Sequence, residues 1–291
     1  MEGYVMEKHL LLTVANDVRS IFEADFIGSF FKNKEGIRVT LFSVAHKPYD
    51  ERRAQSGVAR DTIIPEAGLS ADKWQKGIHL QREHLVRLGF LGDHITSRVV
   101  RSRYGTIEDI ILEAKKGSYD AVILVRHEIE LLGGTFSSSV SRGILNHPID
   151  FPVWICRHPE IGRRNVLLCV DDEASMRVAD HVGFILQQET EHNVTLFHVD
   201  SGERSNVQHI LDRARQKLTD YGIPDARIRN LTVQSHRVIK SIREEAESGK
   251  YAVIALGHDR AHPTGLQEWL VGSRCMKVLE EVARCVLWVS Q

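Results

Sequence analysis

Short apolar runs alternate along this chain with longer stretches whose apolar positions recur every three to four residues. The runs read as buried strands and the stretches as amphipathic helices. The alternation is clearest in the second half. There, strands are predicted at Asn165–Asp171, Val194–Val199, Ile228–Val233, Tyr251–Leu256 and Val286–Ser290. Between them lie helices over about Ala174–Glu189 and Ser205–Tyr221, a third carrying Ile239, Ile242 and Ala246, and a fourth that starts near Gly272. In the second helix Val207, Ile210, Leu211, Ala214 and Leu218 share one face. Gly249 reads as the terminator of the third. Strand and helix in strict alternation imply a parallel, doubly wound sheet with helices on both faces.

The same order occurs twice. Leu11-Leu12-Thr13-Val14 matches Leu167-Leu168-Cys169-Val170. Ala24-Asp25-Phe26-Ile27-Gly28 matches Ala179-Asp180-His181-Val182-Gly183, and Val39–Val44 matches Val194–Val199, both at an offset of 155. Gly117-Ser118-Tyr119 matches Gly249-Lys250-Tyr251 at 132, and Val153-Trp154-Ile155 is aligned with Val286-Leu287-Trp288 at 133. Matches in one order at near-constant offset make the chain two copies of one α/β domain. The expected bounds are residues 1–157 and 164–291, with 158–163 as a short linker containing Pro159 and Gly162. The fall in offset from 155 to 132 places 23 additional residues in the first copy, assigned to about 46–69. A segment that long is either a cover over a site or neutral decoration. Trp154 and Trp288 fall in the matching fifth strands, which are expected to pair and relate the copies by a pseudo-two-fold axis.

Composition narrows the function classes. A 291-residue chain, 42% hydrophobic and 26% charged, can bury two cores and is not disordered. A net charge of −1 argues against a nucleic-acid partner. The first residues lack a secretory pattern, and no apolar run approaches the roughly 18 residues that span a bilayer. The expectation is a cytoplasmic protein without membrane contact. Cys156, Cys169, Cys275 and Cys285 have no zinc or redox spacing and read as buried thiols.

Candidate chemistry concentrates in 251–275. An apolar strand stops at Gly257, a polar loop with Pro263 and Gly265 follows, and Gly272-Ser273 opens a helix. Backbone amides at a helix start hold phosphate, so this is a phosphate-loop arrangement. The bland alternative is that Gly257 ends a strand and Gly272-Ser273 caps a helix, with nothing bound. His258 and His262 lie four apart in this loop, but no third metal ligand accompanies them. The serines at 137–139 and 141 lack a nucleophile-elbow pattern, and no Walker-type Gly-Lys-Ser/Thr occurs. No catalytic residue and no metal site is therefore assigned.

These motifs resemble those of tandem universal stress proteins over nearly the whole chain. The resemblance rests on Cys169-Val170-Asp171-Asp172 closing strand one, Val-Thr-Leu-Phe-His-Val as strand two and Tyr-Ala-Val-Ile-Ala-Leu-Gly as strand four. Gly272-Ser273 and the Val286-Leu287-Trp288-Val289 strand complete it. It implies the adenine nucleotide alpha hydrolase-like form of the fold, pairing through fifth strands, a stress-response role, and ATP or a related phosphate ligand in members that keep a Gly-x-x-Gly, nine residues, Gly-Ser/Thr motif. Carried onto this chain, Asp171 would contact ribose or adenine and Val199 would frame the base. Gly257 would admit the backbone to the ligand, and Gly272 and Ser273 would donate to phosphate. Arg260 stands where the second glycine is expected and would replace its amide by a charged contact. Gly257 to Gly272 spans 15 positions against 13 in the family pattern. In the first copy Val125, Glu128 and Ser138 replace the three glycines, and the acidic residue is lost at Ala15 or Asn16. No ATP is expected there. The reading is a non-catalytic stress-response module with ATP possible in the second copy. The alternatives are an interaction module with vestigial sites and a weak hydrolase. A homodimer of the tandem chain is left open.

Overall fold

The computed structural model describes residues 7–14, 21–45, 71–125, 140–202, 207–257, 268–282 and 284–291, with backbone alone at 71–74 and 268–274. The expected insertion at 46–69 lies outside these residues.

Ten strands form one sheet. In the first half β1 (Lys8–Thr13), β2 (Ile37–Ala45), β3 (Ile95–Arg101), β4 (Ala121–Val125) and β5 (Val153–Cys156) alternate with α1 (Phe22–Phe30), α2 (Ala71–Arg87), α3 (Thr106–Gly117) and α4 (Val140–Leu145). The second half repeats the pattern. Its strands are β6 (Val166–Cys169), β7 (Val194–Asp200), β8 (Ile228–Gln234), β9 (Val253–Gly257) and β10 (Val286–Ser290). Its helices are α5 (Ala174–Leu186), α6 (Val207–Asp220), α7 (Val238–Ser248) and α8 (Glu268–Glu281). Strand order is β3-β2-β1-β4-β5-β10-β9-β6-β7-β8. All pairs are parallel except the central one, where β5 runs antiparallel to β10.

Both faces of the sheet are covered, so its central strands are apolar on successive residues. Leu10 and Leu12 belong to the core layer covered by α1, α2, α5 and α6, while Leu11 belongs to the opposite layer, covered by α3, α4, α7 and α8. Each of these two cores runs without a break from one half into the other. Helix ends follow local chemistry. Gly249 is the C-cap of α7, but at φ −80° it is not the left-handed residue; Lys250 takes that role at φ 51°. Glycine is needed at 249 because a Cβ would come within 2.1 Å of the Tyr251 ring, as one at Gly117 would come within 1.9 Å of Tyr119.

The centre of the molecule is aromatic. Trp154 faces Trp288 across the antiparallel pair, with ring centroids 4.3 Å apart and planes at 10°. Both are fully buried. This register corrects the alignment of Val153-Trp154-Ile155 with Val286-Leu287-Trp288. Trp154 is equivalent to Trp288, at an offset of 134, because Trp154 sits beside Ile123 of β4 and Trp288 beside Ala255 of β9. The fourth and fifth strands are two residues further apart in the second half, so the true register differs by one residue from the alignment at 133. In a strand that single residue reverses the face of every side chain, so a match of apolar letters alone could not fix it.

The pseudo-dyad is chemically broken at one point. The Trp154 indole donates to Nε2 of His181 at 2.8 Å. At the dyad-related position stands Phe26, which accepts nothing, and Trp288 Nε1 is buried without a partner among the described residues. Since an indole only donates, His181 Nε2 must accept, which leaves its proton on Nδ1. Burial lowers the His181 pKa to about 3. His192, packed 4.3 Å from the Phe30 ring, is lowered to about 4 by burial and by Arg227.

Two outcomes follow from this centre. Trp154→Phe strands a buried acceptor on His181, whereas Trp288→Phe removes a buried unpaired donor. In urea denaturation the first is expected to cost about 1–3 kcal/mol more than the second. Both histidines are held neutral in the fold but take a proton near pH 6.5 when unfolded. Stability is therefore intact above about pH 6.5 and lost as pH falls toward 3–4, by about 1.4 kcal/mol per pH unit for each group. His181→Phe should flatten that dependence between pH 7 and pH 5; an unchanged slope would assign the acid sensitivity elsewhere.

Candidate functional site

In the second half the strand order is β10-β9-β6-β7-β8, so the chain changes direction between β6 and β9. The crevice at the carboxyl ends of strands on either side of such a switch is where open α/β sheets take ligands. Registers define its rim. Cys169 pairs with Phe197 of β7 and with Leu256 of β9. Two residues on from the first pair stand Asp171 and Val199, and one beyond Leu256 stands Gly257. Three residues picked out in the sequence thus share one edge.

Asp171 lies past the strand, which ends at Cys169 rather than Asp171. The turn into α5 is held by a reciprocal cap. Ser175 Oγ accepts the amides of Asp171 (2.9 Å) and Asp172 (3.2 Å), and Asp172 Oδ1 accepts the Ser175 amide at 3.3 Å. This satisfies donors that a helix start otherwise leaves open. His198 donates from Nδ1 to the Val170 carbonyl at 2.8 Å and fixes the end of β7 to the same turn. Neither Ser175 nor His198 was singled out in the sequence. The signal existed for both: a serine three residues after Asp172, and a polar residue inside an otherwise apolar strand.

Gly257 has a steric reason to be glycine. A Cβ there would lie 2.6 Å from the carbonyl carbon and oxygen of Ala174 and 2.8 Å from the Ser175 amide. These are backbone atoms of the first turn of α5 and cannot turn aside. In the first half the equivalent residue is Val125, the last of β4. Beyond Gly257, Arg260 lies outside the described residues, as do His258, His262, Glu128, Ser138, Ala15 and Asn16.

The expected start of the last helix near Gly272 is corrected. α8 begins at Glu268, four residues earlier. Gly272 and Ser273 are then its fifth and sixth residues, where an amide is already committed to the carbonyl four residues back. Among the helical residues the free amides are those of Glu268, Trp269 and Leu270. The polar loop gave no pattern that separated its last residues from a first helical turn, and a mid-helix glycine reads as a boundary from sequence alone.

Two thiols sit beneath the rim. Cys275 Sγ approaches the Gly257 carbonyl at 4.0 Å. Burial pushes the Cys275 thiol up to about 12, and burial with the neighbouring Cys275 pushes Cys169 well above its ordinary value. Both stay protonated and unreactive near neutrality. No group of three or more His, Cys, Asp or Glu side chains is arranged for a metal among the described residues, and no described helix is long and apolar enough to cross a membrane.

Comparison with solved structures identifies the fold. A universal stress protein from Archaeoglobus fulgidus DSM 4304 superposes with a TM-score of 0.69 at 16% identity, over 99% of this chain and 97% of its own. A putative universal stress protein from Pseudomonas aeruginosa UCBPP-PA14 gives 0.55 at 15% identity, over 98% and 94%. The chain therefore has the fold of a tandem universal stress protein. No family model matches the sequence, and no curated protein does.

Gly257→Ala tests the packing at the rim. It should destabilise the protein by about 1–3 kcal/mol in chemical denaturation, the usual cost of overpacking. Gly92→Ala, with nothing within 4 Å of the added methyl, should stay within about 0.5 kcal/mol of the parent.

Proposed function

We propose that the protein is a non-catalytic stress-response module whose second half binds an adenine nucleotide or a related phosphate ligand at the β6/β9 crevice. The observation that carries this reading is the convergence of Asp171, Val199 and Gly257 on one strand edge at the topological switch point. Asp171 would take ribose or base hydroxyl and amino groups, Val199 would support the base, and phosphate would lie toward the amino end of α8. Arg260, Gly272 and Ser273 belong to the same segment. With α8 starting at Glu268, the free amides of its first turn are better donors to phosphate than those of Gly272 and Ser273. The first half carries Val125 in place of Gly257, which favours an empty site there.

A second reading has a specific observation in its favour. Gly257 is explained by its contact with Ala174 whether or not a ligand exists. On that reading the crevice is inherited architecture and the protein works through its surfaces, alone or as a homodimer. Both readings describe a module without catalytic chemistry.

Thermal-shift and calorimetric titration with ATP, ADP and cyclic AMP separates the two. Ligand at 100 times its Kd should stabilise the protein by about 2.7 kcal/mol, and Val199→Glu, which puts a charge against the base, should abolish the shift. No response to any of the three at millimolar concentration would leave the interaction module standing.

A further inference from the structure

A second concave region lies at the seam between the halves. Its volume is about 390 Å³. One wall is α5, through Arg177, Asp180, His181 and Phe184; the other is the entry to β4 and β5, through Tyr119, Asp120, Asp150 and Phe151. Ser290 of β10 lies between them, and Tyr221 closes the side. None of Asp171, Val199 or Gly257 lines it.

We propose that this cleft binds a small organic cation carrying amine or ammonium groups, of the di- or polyamine class. The first support is the lining. Four aromatic rings, Tyr119, Phe151, Phe184 and Tyr221, stand with three carboxylates, Asp120, Asp150 and Asp180. Rings attract a cation over their faces, and carboxylates accept from its N–H groups. An anion would meet three like charges, and an apolar ligand would desolvate them without return. Positive charge is present too. Lys217 lies 3.3 Å from Asp180 and Arg177 lines the cleft; burial raises the Asp120 pKa, with the His9 amide and Lys8 partly opposing it. Asp120 also accepts the His9 amide at 2.7 Å, so Asp150, exposed at the mouth, is the principal acceptor.

The second support is independent of charge. Ser290 is 5% exposed, and its Oγ has no hydrogen-bond partner among the described residues. Ser290 lines the cleft, and a buried hydroxyl without a partner beside it calls for an explanation that a ligand donor would supply. Gln291 beside it is already committed, donating to the Leu145 and His147 carbonyls and accepting the Ile149 amide.

The third support comes from the repeat. The dyad-related place is built from the same strands and helices of the opposite halves; it keeps a carboxylate at Asp25 for Asp180 and has Arg284 where Asp150 stands, but four other positions are apolar there. Asp120 corresponds to Ala252, Ser290 to Cys156, His181 to Phe26 and Tyr221 to Leu88. The fold closes without polar groups at these positions. Their presence on one side only points to a ligand and not to a structural need.

The test is calorimetric titration of the full chain with spermidine and with putrescine, at constant ionic strength, in samples free of nucleotide. Saturable binding is expected, weakened at least tenfold in Asp150→Asn. Ser290→Ala should also weaken binding while leaving the melting temperature of the unliganded protein equal or higher, because it deletes an unpaired buried hydroxyl. Absence of saturable binding by both amines at millimolar concentration would overturn the proposal. So would an affinity unchanged in Asp150→Asn, or a lower melting temperature in Ser290→Ala. ATP is titrated separately, and its response in Asp150→Asn should match the parent, so the fate of the nucleotide site does not decide this one.

Discussion

Everything in this molecule is arranged about a single antiparallel contact. β5 and β10 are the only neighbours in the ten-stranded sheet that run in opposite directions, and Trp154 and Trp288 stack across them. Each half taken alone would expose a short, apolar strand with a large indole on it. Such an edge cannot be left in water. Pairing the two edges removes both at once and joins the cores on each face into layers that run the length of the sheet. Because β5 and β10 are antiparallel, the carboxyl end of the second half's strands lies beside the amino end of the first half's. That placement creates the seam cleft, where Ser290 meets Asp150 and Phe151.

Much of this was legible in the residues. In the second half, the five strands and the first three helices fall within a few residues of where apolar spacing puts them, since a doubly covered sheet leaves each central strand a continuous apolar run. Two things were not legible. The equivalence of Trp154 and Trp288 needs the sheet register, because valine, leucine and isoleucine on adjacent positions are interchangeable to a pattern search. The start of α8 needs the backbone itself, because Gly272-Ser273 carries the letters of a helix cap while sitting in a helix interior. Among the rim residues, Gly257 stood out as the glycine ending an apolar strand, whereas Asp171 and Val199 were singled out through the family resemblance. Gly257 nonetheless shows how one residue can satisfy two explanations. The close approach that a ligand would require is already required by the first turn of α5.

The departures from two-fold symmetry are the most informative positions in the chain. Where the halves agree, as in Gly117 beside Tyr119 and Gly249 beside Tyr251, they record what the fold demands. Where they differ, the fold was indifferent and another constraint acted. His181 against Phe26 gives one tryptophan a partner and leaves the other without. It also installs a neutral histidine whose burial makes the centre acid-sensitive. Gly257 against Val125 and Ser290 against Cys156 divide the halves in the same manner, on either side of one strand pair: Gly257 lies opposite Ser290 in the sheet. Both proposed sites draw on these departures, one at the β6/β9 rim and one along the seam.

The central claim is that the β5–β10 junction is the core of one folding unit and not a contact between two finished domains. Native-state hydrogen exchange resolved by residue tests it most directly. On this account the amides of β5 and β10 exchange only through global unfolding, together with those of β4 and β9, and their protection equals the stability measured by denaturation. Exchange at β5 and β10 through a lower-energy opening, while β1, β2, β6 and β7 stay protected, would contradict it and return the molecule to two domains that merely touch.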